Sequence, residues 1–169
     1  MKNLVLIGLS GCGKSTLGRK LSKSLRMPLL DTDAMIEAAA GCSVGDIFAR
    51  RGEPCFRDLE AEACRAAAGQ HGVIIATGGG AVLREENMTA LRASGVLFFI
   101  DRHPAQILRA ASLEDRPLVA GDAQKLFRLY AERLPLYRRW ADATIPNRGS
   151  RRYLARSMRQ IMRRFKKAV

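Results

Sequence analysis

The sequence predicts an α/β fold: a central five-stranded parallel sheet flanked by helices, with a phosphate-binding loop after the first strand. Three observations predict it. Apolar runs alternate with helix-period patterns along the whole chain, as β-α-β units require. A G-x-x-x-x-G-K-S stretch sits where the first strand gives way to the first helix. The chain has 169 residues, 47% of them hydrophobic, which suits one domain with a substantial core. No repeat, low-complexity tract or linker divides residues 1–169, so a single domain is expected.

The elements follow in order. Leu4 to Leu9 reads as the first strand. Lys14 to Leu25 reads as a helix, with Leu17, Leu21 and Leu25 on one face. Pro28-Leu29-Leu30 leads a short second strand into Asp31-Thr32-Asp33. Two or three helices then run from about Ala34 to Gly69, broken near Gly41 and Gly52-Glu53-Pro54. Gly72 to Thr77 is a third strand, ending at Gly78-Gly79-Gly80. Gly95 to Ile100 is a fourth strand, and Ala143 to Pro146 a short fifth. A last helix spans about 150–167. In it Leu154, Met158, Ile161, Met162 and Phe165 form the stripe of a helix docked on a core.

Composition narrows the function classes. The formal net charge is +13, and the segment from Arg148 onward holds nine Lys or Arg and no acid. Arg151, Arg152, Arg156, Arg159, Arg163 and Arg164 take up the faces of the last helix that the apolar stripe leaves. This reads as a solvated basic face, and no nucleic-acid partner is expected: neither a stacking platform nor a reading motif accompanies it. No stretch approaches the roughly 18 apolar residues of a membrane span, and the first strand leaves no room for a leader, so a cytoplasmic protein is expected. Cys12, Cys42, Cys55 and Cys64 lack metal-like spacing and read as free thiols. His71 and His103 are isolated and are given no role.

Gly8-Leu9-Ser10-Gly11-Cys12-Gly13-Lys14-Ser15 is a complete phosphate loop in its required strand-loop-helix context. Its glycines let the backbone wrap a phosphate with N–H groups inward, and the helix adds the positive end of its dipole. Lys14 would reach the β- and γ-phosphates, and Ser15 would ligate Mg²⁺. Gly11, Cys12, Gly13 and Thr16 complete the ATP-binding set. The loop alone is shared by GTPases, ATPases and small-molecule kinases. There is no N-K-x-D motif for guanine, and the third strand ends in three glycines instead of the acid of a motor ATPase.

The acids stand at the end of the second strand. Asp31 and Asp33 are two apart, so along a strand they share a face toward the crevice beyond the sheet. One could support Mg²⁺ through water while the other meets the accepting hydroxyl. The alternative is a solvated D-x-D turn with Asp33 capping the next helix. Arg57 and Glu60 are three apart on one helical face; the arginine fork suits a carboxylate and the glutamate can direct it. Gly78-Gly79-Gly80 lets backbone approach a ligand and donate N–H groups. Residues 110–122, with Arg116, read as a mobile lid that supplies positive charge.

Taken together and in this order, these motifs resemble shikimate kinase. The resemblance covers Leu4 to about Thr144: the phosphate loop, Asp31-Thr32-Asp33, Gly52-Glu53 with Phe56-Arg57-x-x-Glu60, Gly78-Gly79-Gly80-Ala81-Val82, Arg116-Pro117-Leu118, and Arg133 before Pro135-Leu136-Tyr137. It implies a P-loop kinase fold and ATP- and Mg²⁺-dependent phosphorylation of the 3-hydroxyl of shikimate. It further implies catalytic roles for Asp33, Lys14 and Arg116, Mg²⁺ held by Ser15 and through water by Asp31, and Arg109 near the adenine. Arg57 and Arg133 would clasp the shikimate carboxylate, Gly79 would give a backbone contact, and Glu60 would orient Arg57 or touch a hydroxyl. Val119 stands in the lid where leucine is usual. The family's further adenine contact does not align cleanly with Asn147-Arg148-Gly149-Ser150, where Arg148 is the candidate. ATP and shikimate are the expected partners of a monomer. A gluconate- or nucleoside-monophosphate-type kinase is the nearest rival reading.

Overall fold

The computed structural model describes residues 1–112 and 123–169. The predicted lid centre, including Arg116, lies outside the described residues. Five parallel strands, β1 (Asn3–Ile7), β2 (Leu29–Asp31), β3 (Ile74–Ala76), β4 (Gly95–Asp101) and β5 (Ala143–Pro146), form one sheet in the order β2-β3-β1-β4-β5. Around them run α1 (Lys14–Leu25), α2 (Thr32–Ala40), α3 (Val44–Ala68), α4 (Glu85–Ser94), α5 (Pro104–Ser112), α6 (Ala123–Trp140) and α7 (Arg151–Ala168). The five strands, α1, the helices between Thr32 and Ala68, and α7 are those the sequence predicts; α4, α5 and α6 are additions that the sequence reading does not name. The third strand is shorter than expected, because Gly72 turns through a left-handed conformation (φ 70°) before it starts.

β1 and β4 are buried on both faces, which is why they read as continuous apolar runs instead of alternating ones. Successive side chains nonetheless serve opposite layers. Leu4, Leu6, Phe98 and Ile100 pack with Leu17 and Leu21 of α1 and with Ile161 and Phe165 of α7. Val5, Ile7, Leu97 and Phe99 pack with Cys64 and Ala67 of α3, Met88 and Leu91 of α4, and Tyr137 of α6. The stripe predicted for α7 is therefore the face that docks. Opposite it, Arg152, Arg156, Arg159 and Arg163 line an open groove with Gln160.

This order places functional segments by strand end. The phosphate loop leaves central β1. On one side, β2 and β3 end in Asp31 and Gly78-Gly79-Gly80. On the other, β4 and β5 end in Asp101-Arg102 and Pro146-Asn147. Ligands of open α/β sheets bind in the crevice beyond such carboxyl ends.

Candidate active site

The loop after β1 takes its shape from three glycines at positive φ, Gly8 (φ 145°), Gly11 (φ 76°) and Gly13 (φ 102°). Lys14 is buried, and its Nζ donates to the carbonyls of Gly8 at 2.7 Å and Leu9 at 2.9 Å. A lysine so placed spans the loop and can exchange carbonyl partners for phosphate oxygens. Ser15 Oγ donates to Asp31 Oδ2 at 2.8 Å, which joins the first turn of α1 to the end of β2. Among the described residues no three His, Cys, Asp or Glu side chains form a metal cage. Mg²⁺ needs none: it keeps several waters and takes one or two protein oxygens together with phosphate oxygens. The paired hard oxygens of Ser15 and Asp31 fit that demand.

The expectation that Asp31 and Asp33 share a face through strand alternation is corrected by the structure. β2 stops at Asp31, which is itself the N-cap of α2 and accepts from the Asp33 N–H at 3.1 Å. Asp33 lies in the first turn of α2, so a helix start and not a strand pleat turns it inward. The capping alternative is likewise met by Asp31 instead of Asp33. Between them, fully buried Thr32 accepts from the Gly78 N–H at 2.9 Å and ties the acids to the triple glycine. In Thr32→Val the Gly78 N–H would be left buried and unsatisfied. We expect a loss of about 1–3 kcal/mol, read as a lowered urea midpoint at unchanged slope.

Each of the three glycines abuts a different partner. A methyl group on Gly78 would lie 2.6 Å from Asp33 Oδ1 and 2.8 Å from Glu60 Oε1. One on Gly79 would lie 2.9 Å from the Ser10 nitrogen in the phosphate loop, and one on Gly80 would overlap the Arg57 guanidinium. The glycines are thus required by space. Their backbone is also partly committed, since the Gly79 carbonyl accepts from Arg133 Nη1 at 3.1 Å and from Tyr137 Oη–H at 2.6 Å. The sequence reading of donated N–H groups missed both.

Arg57 is held on two sides. Its Nη1 donates to Glu60 Oε2 at 2.6 Å, while Nε and Nη2 donate to Glu53 Oε1 at 3.1 and 2.9 Å. Glu60 is completely buried and Glu53 is largely exposed, so Glu60 fixes the fork and Glu53 is the partner a ligand could displace. Burial pushes the Glu60 carboxyl above its ordinary pKa, against the pull of Arg57. Burial also raises Asp33, helped by the charge of Asp31 and opposed by Lys14. Asp33 Oδ1, Glu60 Oε1 and Arg133 Nε are buried without a hydrogen-bond partner. Buried polar atoms of this kind, two beside Gly78 and one on the arginine that meets the Gly79 carbonyl, are what a hydroxylated and charged ligand would satisfy.

The structure thus brings together Lys14, Ser15, Asp31, Asp33, Arg57, Glu60, Gly78, Gly79, Gly80 and Arg133. Arg109 stands apart on the β4 side, exposed on α5. Arg148 turns to Tyr153, with its guanidinium 5.4 Å from the ring centre. Four residues carry more than the sequence suggested: Thr32, Glu53, Tyr137 and Asn147, the last donating to the Cys12 carbonyl at 2.8 Å.

Known proteins bear on this site. The shikimate kinase family model matches residues 10–168. A shikimate kinase of Pseudomonas syringae pv. tomato is 46% identical over 152 residues, covering 86% of each chain. The shikimate kinase of Acinetobacter baumannii, solved in complex with shikimate, superposes with a TM-score of 0.88 at 29% identity, covering 99% of this chain and 94% of that one. The enzyme of Bacteroides thetaiotaomicron gives 0.89 at 28% identity, covering 98% of both chains. The match runs from inside the phosphate loop to the end of α7 and takes in every element after β1, and the chain belongs to the shikimate kinase family.

Proposed function

We propose that the chain transfers the γ-phosphoryl of ATP to the 3-hydroxyl of shikimate, giving shikimate 3-phosphate and ADP, a step of chorismate and aromatic amino acid biosynthesis. The observation that carries the reading is the convergence at Gly78. Two carboxylates, half-buried Asp33 and buried Glu60, meet there, one residue from the contact of Gly79 with the phosphate loop, and the Arg57 fork that Glu60 holds lies against Gly80. A ring bearing both hydroxyls and a carboxylate matches that set.

The roles follow from position. Arg57 and Arg133 hold the acceptor carboxylate, Glu60 fixes the direction of Arg57, and Gly79 adds a backbone contact. Asp33 meets the attacking hydroxyl. As the hydroxyl oxygen bonds to the γ-phosphorus, the bond to the β,γ-bridging oxygen breaks, ADP leaves, and the hydroxyl proton passes to Asp33. Its raised pKa favours that transfer. Lys14 neutralises charge on the transferring group, and Arg116 of the lid would add to it. Mg²⁺, held by Ser15 and through water by Asp31, would screen the phosphate charges. Gly11, Cys12, Gly13 and Thr16 line the phosphates, and Arg109 serves the adenine. The protein acts as a single-domain monomer in the cytoplasm. Among the described residues no helix is long and apolar enough to cross a membrane.

The test is coupled ADP release with Mg²⁺-ATP and, separately, shikimate, gluconate and CMP. Stimulation by shikimate alone is expected. Stimulation by gluconate or CMP instead would keep the kinase and overturn the acceptor pocket.

A further inference from the structure

Asn147 follows β5 and is 4% exposed, yet the transfer as described gives it nothing to do. Its place is set on three sides. Its backbone N–H donates to the Asp101 carbonyl at 2.8 Å, which continues the β4–β5 ladder. Its Oδ1 accepts from the Gly149 N–H at 3.1 Å, which leaves Nδ2 to donate to the Cys12 carbonyl at 2.8 Å. A methyl group on Gly13 would lie 2.6 Å from that nitrogen, so the side chain reaches the loop only because residue 13 is glycine.

The consequence lies in the peptide between Cys12 and Gly13. A trans peptide is planar, and its C=O and N–H point opposite ways. Anchoring the Cys12 carbonyl on Asn147 therefore turns the Gly13 N–H away from Asn147. Glycine at φ 102° has many conformations to choose from, so an outside restraint has real freedom to remove. Arg102, at the end of β4, reaches the Gly11 carbonyl at 3.5 Å from the same flank.

We infer that Asn147 is a positioning residue for ATP: it locks the Cys12–Gly13 peptide so that the Gly13 N–H faces the nucleotide phosphates. The inference rests on the reading of this loop as the ATP site. Donors fixed in advance cost no reorganisation when charge arrives. Loss of Asn147 should thus weaken nucleotide binding while leaving the shikimate half of the site alone.

Calorimetric titrations of wild type, Asn147→Asp and Asn147→Ala with Mg²⁺-ADP and with shikimate test this. Aspartate keeps the shape but, ionised, offers only acceptors to the Cys12 carbonyl. At about pH 8 the ADP Kd of Asn147→Asp is expected to rise about tenfold, with the shikimate Kd unchanged. The unchanged shikimate Kd also shows that the variant is folded. Asn147→Ala, which also lacks the donor, is expected to show the same selective ADP deficit. Wild-type ADP affinity in both variants, or equal loss for both ligands, would each overturn the positioning role. Wild type that fails to bind ADP overturns the ATP site and this inference together.

Discussion

Replacing Asp33 with asparagine is expected to lower kcat by about 10²- to 10⁴-fold while leaving the Kd for ADP unchanged. Asn keeps the shape and can still accept a hydrogen bond from the ring hydroxyl, but it cannot take the proton. The pH profile supplies a second reading. Burial and Asp31 raise the Asp33 pKa, so activity that requires its ionised form falls away at higher pH than an ordinary aspartate would dictate. That acid limb of kcat/KM should be absent from the residual activity of the variant. Stability should move the other way. A carboxyl whose pKa is raised by folding binds protons more readily in the native state, so its contribution improves as pH falls and is unfavourable at neutral pH. Asp33→Asn removes that burden, and its Tm at neutral pH should equal or exceed that of wild type. Substantial residual turnover would remove Asp33 as an essential group.

The parts of this molecule that could be read in the sequence are those where chemistry dictates residue type over a contiguous run. The phosphate loop is one, because Gly8, Gly13, Lys14 and Ser15 answer to phosphate geometry at fixed spacing. β1 and β4 are others, because burial on both faces makes them uniformly apolar. Asp31 and Asp33 lie where β2 ends, as the sequence suggests, but through a different device: the pleat of a strand and the first turn of a helix can both aim residues two apart at one crevice. The triple glycine was legible as close approach, but not what approaches it. Thr32, Tyr137 and Asn147 act on partners 46, 58 and 135 residues away, so no local pattern marks them. Their roles arise from the strand order, which places β3 and β5 on opposite sides of the loop.

The Arg57–Glu60 pair separates binding from folding. Arg57→Ala should raise the shikimate KM roughly a hundredfold, the cost of losing a charge-assisted pair to the acceptor carboxylate, while the ATP KM changes little. The same substitution strands Glu60, completely buried beside Asp33, without its cation. Breaking a buried pair from one side costs about 3–5 kcal/mol, so the variant should also be markedly less stable. The double variant Arg57→Ala/Glu60→Gln distinguishes the two effects. A neutral amide needs no counter-charge, so denaturant midpoints should recover much of the loss, whereas the shikimate KM should stay high because the fork is still missing. Recovery of both would make Arg57 a structural partner of Glu60 and nothing more. An equal rise in the ATP KM in either variant would show that the arginine serves the nucleotide, and the acceptor clamp would then have to be built from Arg133 alone.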